Sequence, residues 1–235
     1  MNDIWAALGA AITLITHADE GLTEIVGLSL RVSLGAVAIS TLCGLPIGAA
    51  LALFKFPGRK SLTVLVNALM GLPPVVVGLV VYLMLSRSGP LGVFGLLFTP
   101  TAMIVAQVIL VTPIIAALTR QVMESLWEEY DEQLRSLGAT TWQALLTLLW
   151  DARFVLTTAV LAGFGRASAE VGAVMIVGGN IDHVTRVMTT TIALEVSKGD
   201  LPLALGLGII LVTISVGVNA LASILKETAQ RRQGA

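Results

Sequence analysis

Charged residues deep within the apolar runs of this chain are few: Arg31, Arg166 and Glu170. A charge at mid-bilayer is costly unless it is paired or faces water, so each marks a structural contact or a polar path. Arg166 and Glu170 are four residues apart; on one helix they would share a face and could pair. They sit in Gly163-Phe164-Gly165-Arg166-Ala167-Ser168-Ala169-Glu170-Val171-Gly172-Ala173, whose small residues let another helix approach closely. Two readings stay open for the pair: a structural contact at a helix interface, or the lining or gate of a substrate path. Arg31 is shallower, where a guanidinium can snorkel to the outer interface. Catalytic chemistry finds no support. There is no G-x-x-x-x-G-K-[ST] to cradle nucleotide phosphates and no H-E-x-x-H to bind zinc. His17 and His183 fall outside the apolar runs and read as solvated loop residues. The single cysteine, Cys43, reads as a small apolar side chain, with neither disulfide nor metal to serve. The chain is expected to be no enzyme and to need no cofactor, so energy must come from another subunit or a gradient.

A second chemistry lies in a polar island, Glu128-Glu129-Tyr130-Asp131-Glu132-Gln133-Leu134-Arg135-Ser136-Leu137-Gly138-Ala139-Thr140-Thr141-Trp142-Gln143. Tyr130, Leu134 and Leu137 recur at helical spacing. Gly138 breaks the run, as a residue free to adopt positive φ does at a helix end. Thr140 with Gln143 reads as a capping box opening a second short helix. A helix–glycine–helix element between greasy segments suits docking of another protein.

Apolar helices must position these residues. Of 235 residues 56% are hydrophobic and 12% charged, with mean hydropathy +0.90. Soluble domains carry roughly 25% charge, so the chain reads as integral to a membrane. Its net charge of −1 gives no sign of a nucleic-acid partner. Five runs are long enough to span: 25–53, 62–85, 101–119, 146–178 and 201–225. Backbone groups in hydrocarbon must be paired internally, so all five are read as helices. The run Ile4–Thr16 is short and reads as an interfacial helix, with a sixth span as the alternative. Asp3 stands where a signal peptide would carry Lys or Arg, so no removable signal is expected. Lys55, Arg59 and Lys60, then Arg120, Arg135 and Arg153, then Lys226, Arg231 and Arg232 alternate onto one side, which is the cytoplasmic one. Pro46, Pro73-Pro74 and Pro113 interrupt spans. Gly71-Leu72-Pro73-Pro74 is the weakest point, either a kink or a gate.

Glu132, Gly138 and Leu148 together resemble the EAA motif of ABC importer permeases, with Gln133-Leu134 in place of its two alanines and Asp151 in place of its proline. In that family the loop forms the coupling helix that fits a cleft in the ATPase. The segment from Arg166 to Gly172, Gly178-Gly179-Asn180-Ile181, and Thr185-Arg186-Val187-Met188-Thr189 resembles the signature of permeases for molybdate, tungstate and sulfate. The tungstate-type members are most similar, through Ala193-Leu194-Glu195-Val196-Ser197-Lys198-Gly199.

The resemblance implies an all-α bundle of the type I importer kind, with five helices, or six if the run 4–16 also spans. It implies one permease domain over 1–235 with a coupling loop at about 124–145, multi-pass in the cytoplasmic (inner) membrane of a bacterium or archaeon. The implied partners are an ABC ATPase, an extracytoplasmic oxyanion-binding protein, a second copy of the chain forming a homodimer, and the lipid bilayer. Glu132, Leu134, Arg135, Leu137, Gly138 and Ala139 would couple to the ATPase. Pro73, Pro74, Arg166, Glu170 and Gly172 would line or gate the path. Asn180, His183, Thr185 and Arg186 would meet the binding protein. Hydroxyls such as Thr189–Thr191 offer only weak anion contacts, so selectivity falls to the binding protein. Molybdate or sulfate are alternative cargoes. A secondary transporter or channel is the alternative mechanism, although the inverted repeats and charged midplane site it needs are not apparent.

Overall fold

The computed structural model describes residue 9 and residues 20–233; the expected interfacial helix 4–16 and His17 lie outside them. The described residues are almost all helical: α1 (Glu20–Leu53), α2 (Arg59–Leu69), α3 (Pro74–Leu85), a 3-10 turn (Gly92–Phe94), α4 (Pro100–Ser136), α5 (Thr141–Asp151), α6 (Arg153–Ser168), α7 (Gly172–Gly178), α8 (Met188–Lys198) and α9 (Leu201–Gln233). Three of these helices are long and apolar enough to cross a membrane, and five spans result if the pairs α2–α3 and α5–α6 each count as one. The all-α membrane fold expected from the sequence is therefore present. The second span is interrupted where the prolines fall: α2 ends at Leu69, and α3 begins with Pro74 at its first position. There the missing N–H is no loss.

Two spans differ from expectation. The third does not stop near Thr119, because α4 is one helix of 37 residues, roughly 55 Å at 1.5 Å per residue. Hydrocarbon takes about 30 Å, so the first part of the polar island, 128–136, is the far end of a helix longer than a span needs. The fourth is not continuous over 146–178. It comprises α5, α6 and α7, with α5 and α6 bent by 73° and a break at 169–171. The bend arises because α5 folds back onto α4, burying Ala144, Leu145 and Leu148 beside Met123.

The chain divides into two compact units, each assembled from separate stretches. The first takes the chain up to Ala36, Pro73–Gln107 and Ala167–Ile224. Within it α3 crosses α7 so closely that a methyl on Gly78 would sit 2.7 Å from Ala173 Cα. Leu22, Met188, Leu207 and Ile210 join α1, α8 and α9 in a core. Ser29 Oγ accepts the first N–H of α8, at Met188, over 2.8 Å.

The second unit takes Val37–Leu72, Val108–Arg166 and the chain from Leu225. Its close approach is made by Gly44 and Gly48, one turn apart on α1. A Cβ on Gly48 would lie 2.3 Å from the Ala116 carbonyl oxygen, and one on Gly44 3.0 Å from Ile115. Small residues four apart let helix backbones meet without a hydrophobic driving force. Ala49, Ala52, Leu53, Met123, Ala144, Leu145 and Leu148 form the core below this crossing.

Candidate functional site

The coupling candidates are built on the turn between α4 and α5. Gly138 has φ +74. Its N–H donates to Arg135 O at 2.9 Å and the Ala139 N–H to Leu134 O at 3.0 Å, the paired bonds that close a helix through a left-handed residue. Thr140 then caps α5. The Gln143 N–H donates to Thr140 Oγ1 and the Thr140 N–H to Gln143 Oε1 at 2.9 Å, so the box read from the sequence is present. Two helix ends are thus closed within six residues, which fixes the turn.

The faces are less simple than the spacing suggested. Tyr130 and Leu134 pack on the core with Trp127, whereas Leu137 is 82% exposed and lies past the end of α4. Arg135 is held by Asp131 and stacks over Trp127 at 5.8 Å. Trp142, Leu146 and Trp150 recur every fourth residue of α5 and are exposed, opposite buried Ala144, Leu145 and Leu148. Sequence reasoning missed this outer apolar face; its only signal was a short helix with apolar residues on both sides. Behind the turn, Arg59 donates to the Leu51 and Ala52 carbonyls at the end of α1 and reaches Glu124 Oε1 at 2.8 Å. Arg120 pairs with the same carboxylate. Two basic regions assigned to one side of the membrane therefore converge at one residue.

The gate and docking candidates lie mostly in the first unit. Pro74 starts α3, and a Cβ on Gly172 would come 3.0 Å from Val75 Cγ2 and 3.7 Å from Glu170 Oε1, so four of the five gate candidates, Pro73, Pro74, Glu170 and Gly172, are neighbours. Arg166 and Glu170 do not share one continuous helix, which bears on their spacing and leaves a contact between them open. Helix α6 ends at Ser168, and Glu170 lies beyond it. Glu170 is 3% exposed, and its Oε1 accepts the Ala173 N–H at 3.0 Å. An anion that close to the first N–H groups of α7 is favoured by the helix end. Arg166 is half-buried in the last turn of α6, in the second unit.

The loop 179–187 is held from inside. Thr185 is fully buried, donates to Gly178 O at 2.6 Å and accepts the Ile181 N–H, so it staples the loop and offers nothing outward. Asn180 adopts φ +49 with its Oδ1 enclosed. Arg186 is engaged by Asp182 at 2.7 Å. His183 reaches solvent and meets Glu24 of α1 at 2.7 Å. That hydrogen bond, then the charges of Glu24 and Asp182, raise the imidazole pKa above its ordinary 6.5. Glu24 had no signal in the sequence, being 159 residues away. The hydroxyls of Thr189, Thr190 and Thr191 are turned to the Glu170 and Val187 carbonyls, so they are not available to an anion.

A helical membrane chain with a projecting helix–turn–helix and a broken span is matched over residues 44–234 by the family described as the inner membrane component of binding-protein-dependent transport systems. The chain belongs to that family. It is 42% identical to a probable anion ABC transporter permease protein of Haloferax volcanii, over 91% of this chain and 94% of that protein. It is 41% identical to a tungstate uptake system permease protein of Peptoclostridium acidaminophilum, covering 97% of this chain and all of that one. Its identity to the tungstate uptake system permease protein of Campylobacter jejuni is 36%, over 97% and 95% of the two chains. As a member of this family the chain is an ABC importer permease.

Proposed function

We propose that two copies of this chain enclose the translocation path of a tungstate importer. An ATPase subunit docks on each α4–α5 turn, and an extracytoplasmic binding protein delivers the anion. The observation that carries the cargo is likeness to two tungstate uptake permeases along almost the whole chain, not over the turn alone. Docking of the ATPase is supported by the doubly closed turn and by Leu137, Trp142 and Leu146, apolar side chains left exposed on a part of the chain that projects from the spans. At most five spans among the described residues are few to surround a path, which favours a symmetric pair. The basic residues converging on Glu124 support a cytoplasmic turn. Selectivity belongs to the binding protein, since Thr189–Thr191 spend their hydroxyls on backbone carbonyls. Cells lacking this chain should lose high-affinity tungstate accumulation while sulfate uptake continues. Loss of sulfate uptake instead, with tungstate unaffected, would reassign the cargo.

A further inference from the structure

We propose that one face of α2, carrying Lys60, Thr63 and Asn67, lines the cytoplasmic half of the anion's path and passes the anion from donor to donor toward the cytoplasm. The three residues stand at i, i+3 and i+7 and share a face of the helix, with roughly 10 Å of rise from first to last. Lys60 and Asn67 are exposed and Thr63 is half-buried. Among the described residues nothing bonds to these three side chains. Other faces of α2 have their surroundings accounted for. Val66 is buried against Leu51, Ala116 and Ala117. Leu65 is exposed and lies roughly 160° round the helix from Asn67, where lipid suits it.

The depth of this face decides what can cover it. Arg59 ties the start of α2 to the Leu51 and Ala52 carbonyls at the end of α1 and to Glu124. Val66 meets α4 at Ala116 and Ala117, two turns before Glu124, so α2 climbs from the cytoplasmic end of these spans into the bilayer. An amide without a partner is costly against lipid at that depth. The break that follows makes the same demand. Pro73 and Pro74 have no N–H for the turn behind them, and the carbonyls of Met70, Gly71 and Leu72 accept no hydrogen bond among the described residues. Met70 and Gly71 are exposed. Irregular backbone within hydrocarbon persists only against protein or beside water. A polar face and an unpaired break on one short helix therefore mark water-filled space. An ammonium, a hydroxyl and an amide can all donate, and α2 carries no carboxylate, which suits a hydrated oxyanion in passage. The assignment rests on the reading that two copies enclose a path, and it holds for any tetrahedral dianion.

The test uses the permease–ATPase complex in inside-out membrane vesicles, with Cys43 replaced and a membrane-impermeant anionic thiosulfonate added on the cytoplasmic side. Thr63→Cys and Asn67→Cys should react, and Leu65→Cys should not. A path that conducts one way is sealed on one side at each stage, so trapping the ATPase with ATP and vanadate should suppress the reaction at Asn67→Cys. Equal reaction in the free and trapped states would place α2 on the cytoplasmic surface and overturn the proposal. So would an Asn67→Cys that resists the reagent in both states yet cross-links between copies, since a second copy would then cover the face. In proteoliposomes with the binding protein, Asn67→Leu should lower tungstate uptake roughly tenfold, the lower worth of a hydrogen bond to a charged group, with ATPase affinity unchanged. Asn67→Gln keeps the amide and should recover most of the loss. Uptake by Asn67→Leu equal to the parent's would also overturn the proposal. A parent that moves no tungstate would count against the cargo, while the labelling, which needs no cargo, would still decide where the face points.

Discussion

Replacing Gly138 isolates the α4–α5 turn from everything else in the chain. The residue sits at φ +74, and a Cβ there would meet nothing within 4 Å, so a substitution brings no clash. Its cost is the backbone alone, about 1–2 kcal/mol for an L-residue held in the left-handed region, with a β-branched side chain at the upper end. If docking requires the turn as it stands, that cost appears as lost affinity for the ATPase, about fivefold to thirtyfold. Gly138→Asn should bind almost as the parent does, because asparagine visits this region readily. Gly138→Ala should be about fivefold weaker and Gly138→Val about thirtyfold weaker. Titration of the ATPase against the permease in nanodiscs measures this, with the thermal midpoint followed in parallel. That midpoint should barely move, since the glycine lies outside both cores. A Gly138→Val permease that binds and couples its ATPase like the parent would refute the reasoning.

Gly48→Ala should be far more damaging than Gly138→Ala, because its methyl would press on the Ala116 carbonyl at 2.3 Å; a clear fall in thermal midpoint is expected. Glu170→Ala leaves the buried Ala173 N–H without its acceptor and should destabilise by about 1–3 kcal/mol in thermal unfolding. Glu170→Gln retains an acceptor oxygen and should recover part of that. The raised pKa of His183 means that its contact with Glu24 is fully formed below about pH 6.5 and is lost as pH rises through the raised value. Hydrogen exchange in 179–187 should therefore quicken with pH beyond its intrinsic trend, and His183→Gln should remove that excess. In a background with Cys43 replaced, Lys60→Cys should label from the cytoplasm and Val184→Cys from outside; position 58 is unsuitable because Gly58 has φ +88.

Local chemistry was legible in the sequence, and contacts between distant segments were not. Gly138 and the Thr140–Gln143 box announce themselves within a few residues, as does the break at Pro73-Pro74. Polarity after Thr119 suggests the end of a span, yet Met123, Trp127, Tyr130 and Leu134 continue the helical period, and the helix continues with them. The Arg166–Glu170 spacing presumes a continuous helix, whereas α6 stops at Ser168, and the close approach of Gly172 to Val75 had no local signal. Arg59 with Glu124 and His183 with Glu24 are 65 and 159 residues apart, out of reach of any spacing argument. Gly44-Leu45-Pro46-Ile47-Gly48 does carry a small-residue pattern for close helix packing, which the proline at its centre obscures.

The central claim is tested most directly by reconstituting the chain in proteoliposomes with its ATPase and binding protein and following tungstate accumulation. Uptake should require ATP and all three components, and it should fall with Gly138→Val in proportion to lost ATPase affinity. Accumulation that persists without the ATPase, or a fully assembled complex that hydrolyses ATP but moves no tungstate, would contradict the account.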